Sequence, residues 1–510
     1  MITGRSAAGA RTIPPLGLVV FVVGTAALGL EIAAVRLMAP YFGASMIVWA
    51  NTIGIVLVAL SAGYWWGGRI ADRWPKIEQL CAVVMTAAVF TALLPFVARP
   101  ALGVAVDALE SISAGAFLGS FVATLALVAI PVALLGTVAP WALRIGLAHV
   151  SPDQAGMLAG RLYAISTIGS LFGTLVSALF LVPFIGTKRT FLVFALLLAT
   201  TAAIGLRARR ATLLIPLALL ILLVMPVGAI KGEASDGVVI FETESDEQYA
   251  RVVERADGSR ALELNEGLAV HSLYRPETVL TGNIWDVPLV LPFATRDRAP
   301  RRIAVLGNAA GTIARAYGHF FPDTYVDGVE IDAKLTEIGR RFFSLDNPRF
   351  TAFHEDARPF IERTDRRYDA IQVDAYRQPY IPFYLTTREF FEQTRDRLTA
   401  SGSVMVNVGH PEGNDDLEKA LSATLGSVFA HVSRSPAEPT NTMLIASDRP
   451  ISAARIERAA ESFPGDLRAV ARAIAATLGP PLAGGAVFTD DRAPVEWLID
   501  RSIVKYAAGG

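Results

Sequence analysis

The first 230 residues are written almost without charge. Apolar runs recur at about 16–39, 47–68, 78–98, 116–146, 163–186, 190–206 and 211–230. A helix of such length and composition crosses the hydrocarbon core of a bilayer. The pattern therefore predicts a transmembrane helical domain of about seven spans over residues 1–230. Basic residues punctuate it. Arg5 and Arg11 precede the first run, Arg69, Arg73 and Lys76 follow the second, Arg144 follows the fourth, and Arg207, Arg209 and Arg210 follow the sixth. Positive charge gathers on the cytosolic side of a membrane. This alternation predicts a multi-pass protein of a bacterial-type inner membrane with its N-terminus in the cytosol. Seven spans then place everything after residue 230 outside the cytosol, and the side of that polar half stays open.

From Lys231 the pattern changes. Residues 231–248 are polar and read as a linker. Short alternating stretches follow at Tyr249 to Arg255 and Arg260 to Leu264, joined at Asp257-Gly258, which is a hairpin signature. Residues 231–300 thus read as a linker with a small β region. Beyond 301 the period alternates between strand and helix. Strands are predicted near 303–306, 325–331, 349–354, 368–374 and 403–408, with helices between them. Alternating βα units give a parallel sheet covered by helices. The fold class predicted is a multi-span α-helical membrane domain followed by a Rossmann-like, methyltransferase-type α/β domain over 301–510.

In such sheets ligands sit beyond the carboxyl ends of the strands. Those ends carry polar residues four times over: Gly307, Asn308 and Gly311, then Glu330 and Asp332, then Glu355 and Asp356, then Asp374 to Arg377. Glycines at 307 and 311 bracket a tight turn where backbone can approach a ligand. An acidic residue about 20 positions later is placed to accept hydrogen bonds from ribose hydroxyls. The set points to nucleoside binding.

Composition adds limits. The mean hydropathy of +0.44 is too high for a wholly soluble chain. Net charge is −1, which offers nothing to nucleic acid. One cysteine, Cys81, precludes an internal disulfide or a cysteine metal site. The histidines have no ligand-like spacing, and no metal is expected.

These motifs resemble the spermidine synthase (polyamine aminopropyltransferase) family over residues 236–500, and the whole chain is similar to membrane proteins that fuse such a domain to multiple spans. Val329-Glu330-Ile331-Asp332 matches the family's V-E-I-D; Gly307-Asn308-Ala309-Ala310-Gly311 stands in place of G-G-G-D-G; Asp374 matches the first aspartate of D-S-S-D-P. Tyr249 stands at the tyrosine of Y-Q, and Asn265-Glu266-Gly267 in place of L-D-G. Thr489-Asp490-Asp491 resembles a late acidic motif of the fused proteins. Separately, Gly68 to Arg73 resembles the loop after the second helix of major facilitator transporters.

The resemblance implies transfer of an aminopropyl or related group from an adenosyl sulfonium donor, decarboxylated S-adenosylmethionine or S-adenosylmethionine itself, to an amine. Gly307, Asn308, Gly311, Glu330, Asp332 and Asp356 then hold the donor. Asp374 serves as base with Tyr376 beside it. Tyr249, Glu266, Asp286, Arg377, Asp490 and Asp491 are the candidate substrate contacts. Two family carboxylates are replaced, one by Ala310 and one by Arg377. Arginine cannot act as the base and repels a polyamine, but it can read a carboxylate. The alternatives are therefore a methyltransferase-like enzyme using S-adenosylmethionine, or a non-enzymatic or extracytoplasmic membrane protein with a degenerate domain. The expected partners are the lipid bilayer, a small-molecule amine and a second copy in a homodimer.

Overall fold

A computed structural model describes residues 16–42, 46–110, 115–206, 210–225, 231, 234, 236–265, 269–376, 380–410 and 412–499. They divide into two compact units, a helical one ending at Gly232 and an α/β one beginning at Glu233.

The helical unit contains α1 (Leu16–Phe42), α2 (Met46–Arg73), α3 (Ile77–Glu110), α4 (Gly115–Leu127), α5 (Ala129–Gly136), α6 (Val138–Leu147), α7 (Ala155–Val176), α8 (Thr187–Gly205) and α9 (Arg210–Val224). Six helices among the described residues are long and apolar enough to cross a membrane, not seven. Within the seventh predicted run the described residues form α9, which is 15 residues long, and residues 226–230 lie outside the described residues. At 1.5 Å per residue α9 falls short of a bilayer core. The long fourth run is broken into α4, α5 and α6. The breaks at Val128 and Thr137 each precede a proline, Pro131 and Pro140, by three residues. Proline has no N–H for the preceding turn and its ring crowds the carbonyl four residues back.

Small residues let α1 and α7 touch through backbone. A side chain at Gly169 would strike the Phe21 carbonyl, and one at Gly173 the Thr25 carbonyl. Ser177 donates to the Gly29 carbonyl across the same seam at 3.1 Å. The segment from Gly68 to Arg73, expected as a loop, is the last turn of α2. There Asp72 pairs with Arg144 of α6 at 3.0 Å. The Trp141 indole donates to the Trp74 carbonyl at 3.1 Å. This ties the ends of two helices together.

The α/β unit opens with a four-stranded antiparallel sheet in sequence order, β1 (Val238–Glu244), β2 (Tyr249–Glu254), β3 (Arg260–Leu264) and β4 (Val270–Tyr274). A seven-stranded sheet follows: β5 (Arg302–Leu306), β6 (Tyr325–Val329), β7 (Phe350–Phe353), β8 (Tyr368–Val373), β9 (Leu398–Gly409), β10 (His431–Glu438) and β11 (Asn441–Ser447). Its order is β10-β11-β9-β8-β5-β6-β7. The five strands β5 to β9 run parallel, as the alternation predicts. The sheet is mixed, however, because β10 and β11 form an antiparallel hairpin at one edge.

Central strands are buried on both faces. Ile303 and Val305 pack with Tyr317 and Phe463 in one cluster, while Ala304 and Leu306 pack with Phe390 and Phe391 in another. The chain runs outward from β5 to β7, then returns to place β8 on the other side of β5. Connections diverge there, so a crevice opens at the carboxyl ends of β5 and β8.

Candidate active site

The loop after β5 fills that crevice. Gly307, Ala309 and Gly311 adopt left-handed conformations, with φ of 88°, 44° and 86°. Only glycine takes such angles without strain, so Ala309 is held there by its surroundings. Its N–H donates to Glu330 at 2.9 Å. Gly307 is required for space as well. A Cβ there would stand 2.5 Å from the Asp374 carbonyl oxygen. Helix α10 (Thr312–Phe320) starts directly after Gly311.

Two adjoining cavities meet at this loop. The larger, of about 440 Å³, is walled by Trp285, Asn308, Asn407, His410, Glu438 and Asn441, among others. The smaller, of about 90 Å³, is walled by Gln248, Glu330, Glu355, Asp356 and Tyr384. Five residues line both: His271, Gly307, Ala309, Asp374 and Tyr376. The reactive groups therefore stand where the two cavities join.

Asp374 follows β8, and its N–H donates to the Leu306 carbonyl at 2.8 Å. Its Oδ1 accepts from Asn407 Nδ2 at 2.8 Å. Burial pushes its carboxyl up to about 7, and the Asn407 hydrogen bond opposes that shift. Glu330 is also pushed up to about 7 by burial. Its two oxygens accept the N–H groups of Ala309 and Asp332, at 2.9 and 3.0 Å. These bonds clamp the end of β6 to the glycine loop. Asp356 caps helix α11 (Ala357–Arg363) through the Arg358 N–H at 2.9 Å, and accepts the Tyr384 hydroxyl at 2.6 Å. Burial lowers His271 to about 4, which keeps its ring neutral at pH 7.

Tyr376 lines both cavities, but its hydroxyl is engaged elsewhere. It donates to the Asn407 carbonyl at 2.9 Å and accepts the Gly409 N–H at 2.7 Å. It anchors the loop after β8 to the end of β9, and its polar group does not face a substrate. Burial raises it well above the usual phenol range.

Other predicted residues lie away from the cavities. Asp332 caps helix α12 (Ala333–Phe342) through the Lys334 N–H at 3.0 Å, and it accepts Ser245 Oγ at 2.6 Å. Tyr249 donates its hydroxyl to Glu242 at 2.8 Å. Asp286 accepts the N–H groups of Thr281 and Gly282, at 2.9 and 2.7 Å. It therefore shapes the turn before Trp285 and lines neither cavity. Asp490 takes Arg358 in two bonds of 2.7 and 2.6 Å, and that ion pair holds its carboxyl below the usual range. Arg358 in turn donates to the Tyr384 carbonyl at 3.1 Å, so Asp490 braces a wall of the smaller cavity from behind. Asp491 is exposed and lines neither cavity. Gly311 lines neither and serves the turn. Glu266 and Arg377 lie outside the described residues. Ala310, where the family has aspartate, is fully buried in an apolar cluster with Leu264, Leu335 and Phe343. A carboxylate there would need desolvation.

Residues 287–443 match the family model described as Spermine/spermidine synthase domain. The chain carries a spermine/spermidine synthase domain. Homology extends to named relatives. A "Probable polyamine aminopropyl transferase" of Bifidobacterium longum (strain NCC 2705) is 33% identical over 205 residues, 40% of this chain and 45% of that protein. A "Polyamine aminopropyltransferase" of Vibrio vulnificus (strain CMCP6) is 36% identical over 134 residues, 26% of this chain and 44% of that protein. The chain thus spans about half the length of the curated relatives it matches. A solved "probable spermidine synthase" from Corynebacterium glutamicum ATCC 13032 aligns over 48% of this chain and 96% of its own, at 21% identity and a TM-score of 0.37, too distant to bear on the site.

The synthase-domain match ends within β11 and includes Asp374, Asn407, Glu438 and Asn441. The last three were not legible as site residues. Asn407 stands two places before the end of a buried strand, and Glu438 and Asn441 flank a hairpin turn. No motif marks such positions; the fold brings them to the cavity.

Proposed function

We propose that this domain transfers an aminopropyl group from decarboxylated S-adenosylmethionine to an amine. The observation that carries this reading is Asp374, a carboxyl raised to about 7 at the junction of two cavities. The smaller cavity, edged by Glu330, Asp356 and Tyr384, takes the nucleoside. Glu330 and Asp356 accept hydrogen bonds from sugar and base, the role carboxylates play at these strand ends. The larger cavity takes the aminopropyl arm and the acceptor.

An aliphatic amine, of pKa about 10, is protonated at neutral pH and cannot attack. Asp374 accepts that proton, and its raised pKa narrows the gap between them. The amine nitrogen then bonds to the carbon next to sulfur. The carbon–sulfur pair leaves with sulfur as neutral methylthioadenosine. Tyr376 and Asn407 hold Asp374 in place. The purified full-length protein, given donor with label in the aminopropyl group, is expected to move label to an added diamine and release methylthioadenosine. Label retained in the donor with every amine tried overturns the reading.

The domain acts in the cytosol, where adenosyl donors are made. Six spans from a cytosolic N-terminus return the chain to the cytosol, provided that the 15-residue α9 does not itself cross. Arg69, Arg73, Lys76, Arg144, Arg207, Arg209 and Arg210 all then sit inside. Fusions at Gly510 are expected to fluoresce with green fluorescent protein and to be silent with alkaline phosphatase. The opposite pattern refutes the placement.

A further inference from the structure

A third cavity, of about 740 Å³, lies at the opposite end of the sheet. Among the described residues that line it, three arginines, Arg301, Arg302 and Arg349, face one acid, Asp323. The two cavities at the crevice have the reverse character, since none of the described residues lining them is lysine or arginine.

Strand register builds this cavity. Arg302 opens β5 and is paired with Tyr325, which opens β6. Val326 is paired with Phe350 of β7, so Arg349 stands beside Tyr325 on its other side. Neighbours across parallel strands project to the same face. The two guanidinium groups accordingly stack on the Tyr325 ring, at 4.8 Å for Arg302 and 4.7 Å for Arg349. Phe320 and Pro322 add apolar wall.

The arginines are unequally committed. Arg302 donates to Asp327, which is fully buried, at 3.0 Å. Arg349 meets Asp323 at 3.3 Å, and that carboxylate is fully exposed, so water weakens the pair. The backbone of Arg301 is fixed at both ends. Its N–H donates to Asp369 at 2.6 Å and its carbonyl accepts the Tyr325 N–H at 2.9 Å. Its side chain is exposed and has no partner among the described residues. A rigid frame thus presents two guanidinium groups, those of Arg301 and Arg349, to a ligand.

We propose that this cavity binds a nucleoside di- or triphosphate. Guanidinium groups take phosphate oxygens in paired hydrogen bonds. Phe320 and Pro322 give the flat base an apolar surface, and the volume is that of a small-molecule site. The acid-lined crevice repels the same ligand. The proposal does not rest on aminopropyl transfer.

The test is calorimetric titration of the full-length protein in detergent and EDTA with adenosine triphosphate, inorganic triphosphate and dioctanoyl phosphatidic acid. The wild type is expected to bind adenosine triphosphate most tightly of the three. Arg301→Ala and Arg349→Ala are each expected to weaken that binding about tenfold or more, the size of one charge-assisted hydrogen bond. Asp323→Asn removes the opposing charge and is expected to tighten it about threefold. Damage to the fold does not produce a gain. Failure of the wild type to bind adenosine triphosphate, or binding that is unchanged in both Arg301→Ala and Asp323→Asn, overturns the proposal. So does displacement by excess methylthioadenosine, which would put the nucleotide in the crevice. Inorganic triphosphate binding as tightly, or phosphatidic acid binding more tightly, refutes the nucleotide assignment. Transfer of labelled aminopropyl is read separately, so either conclusion fails without the other.

Discussion

Asp374→Asn is expected to lower turnover by about 10³-fold and, at the same time, to raise the melting temperature at pH 8. The first effect follows from removing a general base, a contribution of about 10² to 10⁴. The second follows from linkage. In the folded protein Asp374 titrates at about 7 because it is buried, against about 3.9 in the unfolded chain. A raised folded value means that the folded state holds the proton more tightly. That stabilisation is complete below about pH 4 and is lost as pH rises through 7. Above pH 7 the wild type carries a buried charge that asparagine lacks. With water reaching the group through the cavity, the difference is about 1–2 kcal/mol, or roughly 3 °C.

Melting curves of both proteins from pH 4 to pH 8 check it. The gap between them should be closed near pH 4, widen up to about pH 7 and level off above it. The same titration predicts that wild-type kcat/KM rises tenfold per pH unit below 7 and levels off above it. A pH-independent loss of stability in Asp374→Asn would mean that the residue is only structural.

Gly307→Ala carries the second large effect. The added methyl meets backbone, not a yielding side chain: the Asp374 carbonyl oxygen and the Ala375 Cα, each at 2.5 Å. The φ of 88° adds about 1 kcal/mol for any L-residue. The loop must shift, and the segment that bears Asp374 moves with it. We expect a loss of about 2–3 kcal/mol in stability and at least tenfold in kcat. Gly311→Ala is the comparison. Its φ of 86° exacts the same backbone cost, but its methyl meets the Leu345 side chain, which can turn aside. Thermal melts should fall in both variants, while kcat should fall steeply in Gly307→Ala alone. Equal kinetics in the two would detach the loop from the chemistry.

Much of the scaffold was legible from pattern. Apolar runs marked helices because a bilayer-length segment has few other uses, and the βα alternation marked parallel strands because its period changes with each element. The difference at the seventh run, of which residues 226–230 lie outside the described residues, has a plain cause. Hydropathy extends the apolar run past Val224, whereas helix length is what crosses a bilayer. The edge hairpin of β10 and β11 escaped because β10 contains Pro436 and polar residues, which dilute the alternation.

The site divides in the same way. Gly307, Glu330, Asp356 and Asp374 were legible because each follows a parallel strand, and strand ends converge by topology. Asp332, Asp286 and Asp490 carry the same chemistry at similar turns, yet they spend it on a helix cap, a turn and an ion pair. Residue type and spacing do not distinguish an acid that serves the backbone from one that faces a cavity. Only the placement of neighbouring N–H groups and of Arg358 decides that.

The order of elements and the strand-end positions were therefore determined by the sequence alone, because they rest on local periodicity and on a topology that local periodicity implies. Whether Asp374 titrates near neutrality, and whether Glu438 and Asn441 share its cavity, was decided only in the tertiary structure. Burial and the meeting of distant strands are sums over the whole packed domain, and no short stretch of sequence contains them.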